Sequence, residues 1–133
     1  MMPAADRMLI ALAGLAGALG VGLSAAAAHI AGATSLATAA QFLLFHAPAL
    51  LGLALLAGSG RAHPVPVRIA GFALALGLAL FSGDLSMRAL LQQPLFPMAA
   101  PSGGMILILG WVLVAVAAFW PLHSGPREAP GTR

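Results

Sequence analysis

The sequence predicts an all-α membrane protein: a four-transmembrane-helix bundle with both termini in the cytoplasm. Hydrophobic residues make up 61% of the 133 residues and charged residues only 7%, which is too little charge to cover a soluble domain. The apolar residues fall into four runs, each close to the roughly 20 residues that an α-helix needs to cross a bilayer. Arginines accumulate between alternate runs, a pattern typical of the cytoplasmic side of membrane proteins.

The composition excludes several classes of protein. The six basic residues are all arginines and lie between apolar runs, not in one patch, so the basic isoelectric point does not indicate a nucleic-acid partner. The chain has no cysteine, which excludes disulfides, thiolate catalysis and cysteine-based metal sites. It also has no lysine to complete a glycine-rich phosphate-binding loop. No nucleophile and base stand at a readable spacing, so we expect neither enzymatic activity nor a cofactor.

The first predicted span covers about residues 8–28 and is rich in small side chains. Small residues allow helix backbones to approach closely in lipid, so this span is expected to pack on more than one side. The small residues form two stripes: Gly14, Ala18 and Gly22, and Ala16, Gly20 and Ser24. An alternative is a secretory signal peptide, because Arg7, an apolar run and Ala26 to Ala28 resemble one. The length of the run and the glycine stripes favour a membrane span.

The second and third predicted spans cover about residues 37–57 and 69–91. The connection between them, residues 58–67, contains Pro64 and Pro66, whose spacing predicts an extended segment. The third span carries its own seam of small residues four apart, which predicts another close helix contact. This seam consists of Gly71, Ala75, Ala79 and Gly83.

The fourth predicted span covers about residues 103–120 and follows an uncharged, proline-containing loop, residues 92–102. Trp120 lies where an interfacial aromatic anchor is expected. Residues 1–121 are therefore predicted to form a single transmembrane domain, and residues 122–133 a disordered cytoplasmic tail.

The arginines predict the orientation of the four spans. One side of the membrane collects five arginines and the other only Arg88, so the positive-inside rule places both termini and the middle loop in the cytoplasm. The five are Arg7, Arg61, Arg68, Arg127 and Arg133. The predicted location is the bacterial inner (plasma) membrane, with multiple passes.

Asp84 and Arg88 are the charged residues with the clearest spacing for an interaction. They stand four apart on one helix face and can form an ion pair. Ionisable residues in a span are costly and are candidates for function. Two interpretations stay open: a structural pair near the outer end, with Arg88 reaching the headgroups, or a role in handling a ligand, a proton or a partner.

Other polar residues fall at similar depths in the predicted spans. His46 lies near the middle of the second span and could either satisfy a packing contact or relay protons. Gln41, His29 and Ser102 fall in the outer half with Asp84 and Arg88, which predicts an intramembrane polar cluster. No metal site is expected, because His29 and His46 are separated by a turn and a single aspartate adds few ligands.

The motifs together resemble the domain of unknown function 423 family of small four-helix membrane proteins, which is related to the eukaryotic transmembrane protein 256. The resemblance is carried by Ala28-His29, Phe45-His46-Ala47, Phe81-Ser82-Gly83, Pro101-Ser102-Gly103-Gly104 and Gly110-Trp111. It covers nearly all of the chain except the tail and implies a four-span bundle and no cleaved signal peptide. The family has no assigned activity, so the resemblance implies no function.

Two functions are compatible with these observations. The main hypothesis is a non-enzymatic accessory or scaffolding bundle in the lipid bilayer, with a membrane-protein partner or a second copy bound along the small-residue seams. The alternative is a small channel or transporter that moves protons or a small solute past His46 and Asp84. Lipid binding by the loop of residues 92–102 is a third possibility, based on its apolar and proline content.

Overall fold

A computed structural model describes residues 1–122, which form four α-helices joined by short loops. All four are long and apolar enough to cross a membrane, and the described chain contains no strand. The helices are α1 (Ala4–His29), α2 (Thr34–Gly58), α3 (Pro64–Leu91) and α4 (Ala99–Ala117). The predicted all-α, four-transmembrane-helix architecture is confirmed. The predicted tail lies outside the described residues, apart from Leu122.

Helices α3 and α4 begin earlier in the sequence than predicted, and both include prolines that were expected to lie in loops. Pro64 and Pro66 lie in the first turn of α3, not in an extended connection, and the His63 imidazole accepts a hydrogen bond from the N–H of Val65. Pro101 similarly lies in the first turn of α4. Proline is tolerated there because the first amides of a helix have no partner within the helix. The prediction of loops over these three prolines was wrong.

The helices pack in the order of the chain, and the arrangement is open rather than closed. α1 packs against α2, α2 against α3, and α3 against α4, with a minor contact between α1 and α3. Within the described chain, the backbone of α4 approaches that of α3 only. The largest fully buried apolar side chains of the core are Leu9, Leu36, Leu50, Val67 and Leu74. Much of the surface of α1 and α4 is consequently left for lipid or for another protein.

Glycines bring α3 and α4 into close contact. A Cβ atom built on Gly77 would lie 2.8 Å from the carbonyl oxygen of Gly103, and one built on Gly110 would lie 2.7 Å from a methyl of Leu74. Gly77 was not part of the predicted seam in α3. Gly71 of that seam packs against Leu9 of α1, whereas Ala79 is exposed.

Only one of the two small-residue stripes of α1 faces the rest of the protein. Ala16 and Gly20 are buried, and a Cβ atom on Gly20 would meet Leu44 of α2 at 2.7 Å. The other stripe is exposed along its whole length, and no helix of the described chain covers it. It consists of Gly14, Ala18 and Gly22. The expectation that α1 packs on more than one side through both stripes is not met within this chain.

Candidate functional site

Asp84 lies at the end of the protein that carries the α1–α2 and α3–α4 loops, which we call the hairpin end. Its buried carboxylate accepts a hydrogen bond from Arg88 Nε through Oδ2, at 2.7 Å, and one from the N–H of Leu95 through Oδ1, at 2.7 Å. Leu95 lies in the loop that leads into α4, four residues before the helix begins. Asp84 therefore anchors this loop to the end of α3.

A second ion pair lies at the opposite end of the protein and was missed by the sequence analysis. Asp6 is buried, and both of its oxygens accept hydrogen bonds from Arg68: Oδ1 from Nε at 2.7 Å and Oδ2 from Nη2 at 2.9 Å. The pair joins the first turn of α1 to the start of α3. An acidic residue is favourable in the first turn of a helix, where the amide dipoles leave positive charge. The position of Asp6 in the first turn of α1 was the only feature of the sequence that pointed to it. This feature did not indicate that Arg68 is its partner.

The arginines of the two ion pairs, Arg68 and Arg88, are separated by about the thickness of the hydrocarbon core of a bilayer. Arg68 and Arg88 are separated by 20 residues of α3, which corresponds to about 30 Å along an α-helix. The hydrocarbon core of a bilayer is also about 30 Å thick. One ion pair is therefore expected at each membrane interface, with the aspartate on the protein side and the arginine close to the headgroups.

His46 is buried at the centre of α2 and is held by two hydrogen bonds. Its Nδ1 lies 2.7 Å from the carbonyl oxygen of Phe42, and its Nε2 lies 3.2 Å from Nε1 of Trp111 in α4. A carbonyl can only accept and an indole N–H can only donate, so the partners assign the proton to Nδ1 and leave Nε2 as the acceptor. A doubly protonated imidazole would lose the bond to Trp111. His46 thus connects α4 to α2 in its neutral form.

The predicted polar cluster is only partly assembled. Asp84 and Arg88 are in contact, and His46 contacts Trp111 instead of either of them. Gln41, His29 and Ser102 are exposed on the surface of the bundle. Similar depth was therefore a poor guide to contact, because residues on different helix faces point away from one another.

His46 lies on the wall of a cavity of about 260 Å³, which is lined by Phe42, His46, Phe81, Gly104, Leu107, Ile108 and Trp111.

Within residues 1–122, no three His, Asp or Glu side chains are close enough to hold a metal ion. Ser82, from one of the sequence motifs, has a buried hydroxyl oxygen without a hydrogen-bond partner. It lies one half-turn from Asp84, which is engaged by Arg88 and Leu95. The polar groups inside the bundle serve mainly to join its helices.

Replacing Trp111 with phenylalanine is expected to destabilise the protein by about 1 kcal/mol, because the ring stays while His46 Nε2 loses its donor. Hydrogen bonds between membrane helices contribute about 0.6 kcal/mol on average and up to about 1.7 kcal/mol. Thermal unfolding in dodecyl maltoside measures the effect, with Trp120→Phe as the control because Trp120 lies beyond the end of α4 and is exposed. Equal melting temperatures for the two variants would contradict the prediction.

Comparison with known proteins gives a consistent family assignment. The family model described as "Protein of unknown function (DUF423)" matches residues 9–104. The chain is 32% identical over 120 residues to the UPF0382 inner membrane protein YgdD of Escherichia coli strain K12, which covers 85% of this chain and 90% of that protein. It is also 30% identical over 81 residues to the UPF0382 membrane protein SAB0533 of Staphylococcus aureus, covering 61% of this chain and 64% of that protein. No solved structure matches the chain significantly.

These matches agree with the predicted location and with the predicted lack of an assigned activity. The relatives are named as membrane or inner membrane proteins, and the four apolar helices contact the lipid bilayer. The chain belongs to the DUF423 family of proteins of unknown function and is a multi-pass protein of the bacterial inner membrane.

Proposed function

We propose that this protein is a non-enzymatic accessory or scaffolding bundle that binds another membrane-spanning helix along the outward face of α1. The partner helix belongs to a membrane protein or to a second copy of this chain. The observation that carries the proposal is the exposed stripe of Gly14, Ala18 and Gly22, which no helix of the described chain covers.

This stripe has the features of a helix-binding surface in lipid. A Cβ atom built on Gly14 or Gly22 would meet no atom within 4 Å, so a partner backbone has room to approach. Gly14 also borders an apolar groove of about 390 Å³ between α1 and α2, lined by Ile10, Ala13, Gly14, Ala47, Pro48 and Leu51. Helix association in membranes depends on close packing, for which small residues and a matching groove are suited.

The polar residues support a structural role better than conduction. Asp84 and Asp6 are each paired with an arginine, and both nitrogens of His46 are engaged by partners. A proton path from His46 to Asp84 would need a shared cavity, and Asp84 does not line the cavity of His46. The alternative of a small channel or transporter consequently has less support. The cytoplasmic placement of both termini remains a prediction from the arginine distribution.

The proposal predicts that Gly14→Leu/Gly22→Leu lowers the recovery of a bound partner or second copy at least tenfold, because two leucines would prevent close backbone approach. The measurement is affinity purification from native nanodiscs followed by quantification of co-purified membrane proteins and of the number of copies of this chain per particle. Gly52→Leu is the matched control, since Gly52 is an exposed glycine of α2 with no atom within 4 Å of its built Cβ.

Two results would overturn the proposal. The first is a wild-type protein that stays monomeric in nanodiscs with no stoichiometric partner. The second is a Gly14→Leu/Gly22→Leu variant that retains its partner as well as Gly52→Leu does. In either case, proton or solute flux in reconstituted vesicles, compared between wild type and Asp84→Asn/His46→Ala, becomes the decisive test of the alternative.

A further inference from the structure

A polar cleft of about 310 Å³ opens at the hairpin end, away from the outward stripe of α1. One wall is formed by the α1–α2 loop and the start of α2, with Gly32 and Ser35. The other wall is the last turn of α3, with Arg88, Ala89 and Gln92. The cleft is therefore built from segments distant in the sequence and placed together only by the packing of α3 beside α1 and α2.

Among the described residues, Arg88 is the only charged one that lines this cleft. Only its Nε is engaged by Asp84 in the described chain, and 49% of its side chain is exposed. The two terminal amino groups of the guanidinium are thus available to a ligand, while the Asp84 carboxylate is buried behind them. Among the described residues, no carboxylate lines the cleft, and the Asp84 carboxylate that pairs with Arg88 is on the far side of the guanidinium from it.

Two neutral polar side chains, Ser35 and Gln92, also line the cleft. The exposed Ser35 hydroxyl lies on the opposite wall, and the side-chain amide of Gln92 donates to the carbonyl of Ala89, which removes one acceptor from the cleft. Ser35 is also in the first turn of α2, where backbone amides lack partners within the helix. The Ser35 hydroxyl and the amides at the start of α2 add donors to the site that Arg88 defines, which favours a ligand with several acceptor oxygens.

We propose that this cleft binds a phosphate-bearing anion, with Arg88 as the main ligand-binding residue and Ser35 on the facing wall. The planar guanidinium donates two parallel hydrogen bonds to phosphate oxygens, which gives both strength and geometric selectivity. The volume is at the lower end of the range of about 300 to 1,000 Å³ for ligand pockets. It suits a phosphate with a short polar substituent, not an acyl chain.

The expected position of Arg88 at the membrane interface is compatible with two sources of the phosphate group. Because Arg88 is expected at the edge of the hydrocarbon core, the phosphate of a neighbouring phospholipid lies at the same level as its guanidinium. A free phosphate or phosphate monoester in the adjacent aqueous phase presents the same oxygens. The chemistry of recognition is shared, and the experiment below distinguishes the two.

The sharpest variant is Ser35→Glu, because it places a negative charge in the cleft without touching the Asp84–Arg88 pair. An acidic residue in the first turn of a helix is favourable, so the variant is expected to fold. Ser35→Gln is its neutral control of the same size. Arg88→Gln removes the main binding group, and Arg61→Gln removes an exposed arginine from the α2–α3 loop at the opposite end.

Binding is measured by native mass spectrometry on the full chain in phosphate-free dodecyl maltoside. The probes are inorganic phosphate, dihexanoyl phosphatidylglycerol and, as a phosphate-free control, dihexanoylglycerol. We expect phosphate-bearing probes to bind wild type, with at least tenfold weaker binding to Ser35→Glu and Arg88→Gln. Binding to Arg61→Gln should stay within about twofold of wild type, and Ser35→Gln, which keeps a neutral donor, should bind at least fivefold more tightly than Ser35→Glu.

The pattern across the probes identifies the source of the phosphate. Binding of both phosphate probes with the expected loss supports a site for the phosphate anion itself, and binding of phosphatidylglycerol alone supports a lipid headgroup site. The proposal is overturned if neither phosphate probe binds better than dihexanoylglycerol. It is also overturned if Ser35→Glu binds as tightly as Ser35→Gln. The result does not depend on the proposed partner of α1.

Discussion

Replacing Asp84 with alanine is expected to destabilise the protein by about 2 kcal/mol. The Leu95 N–H would lose its acceptor inside the protein, and leaving a polar group unsatisfied costs about 1 to 3 kcal/mol. The loop that leads into α4 would also lose its link to the end of α3. Arg88 contributes less to the loss because its half-exposed side chain can turn toward water.

Asp84→Asn separates the bond to the Leu95 N–H from the charge of the carboxylate. The asparagine oxygen can still accept from Leu95, so we expect this variant to lose only about 1 kcal/mol. Ser82→Ala is the matched control in the same helix, because it removes a buried hydroxyl that has no partner and should leave stability unchanged or slightly raised. Thermal unfolding in dodecyl maltoside, followed by circular dichroism, compares all three. A melting temperature of Asp84→Ala equal to that of Ser82→Ala would refute the role of Asp84 in anchoring this loop.

Gly103→Ala is expected to disrupt the contact between α3 and α4 at a cost of about 3 kcal/mol. The added Cβ would lie 2.5 Å from the backbone nitrogen of Phe81 and 2.8 Å from the carbonyl oxygen of Gly77. Both are backbone atoms and cannot rotate aside, so α4 must shift as a unit. Overpacking of this kind costs about 1 to 3 kcal/mol, and a backbone contact is at the upper end of that range.

The adjacent glycine provides the control for this prediction. A Cβ on Gly104 would meet only the ring of Phe81, at 3.8 Å, which is an ordinary contact. Gly104→Ala should therefore be neutral or should stabilise α4 by up to about 1 kcal/mol through helix propensity. Thermal unfolding of the two single variants is the measurement. If Gly103→Ala proves as stable as Gly104→Ala, the close approach of α3 and α4 is not as described.

Features that depend on composition or on near neighbours in the chain were determined by the sequence. The lengths of the apolar runs predict four spans because the bilayer has a fixed thickness. The pairing of Asp84 with Arg88 follows from their spacing, since residues four apart meet on any α-helix. Family membership was also predicted correctly, because its motifs are short and appear in order along the chain.

The tertiary structure decided which residues meet across the helices. Asp6 and Arg68 are 62 residues apart, and His46 and Trp111 are 65 apart, so no local spacing connects them. It also decided that Gly103 is buried while Gly14 is exposed. The physical reason is that lipid is as apolar as the protein interior. Hydropathy therefore does not show which face of each helix is directed towards the other helices. Only the packing of the helices against one another determines that face.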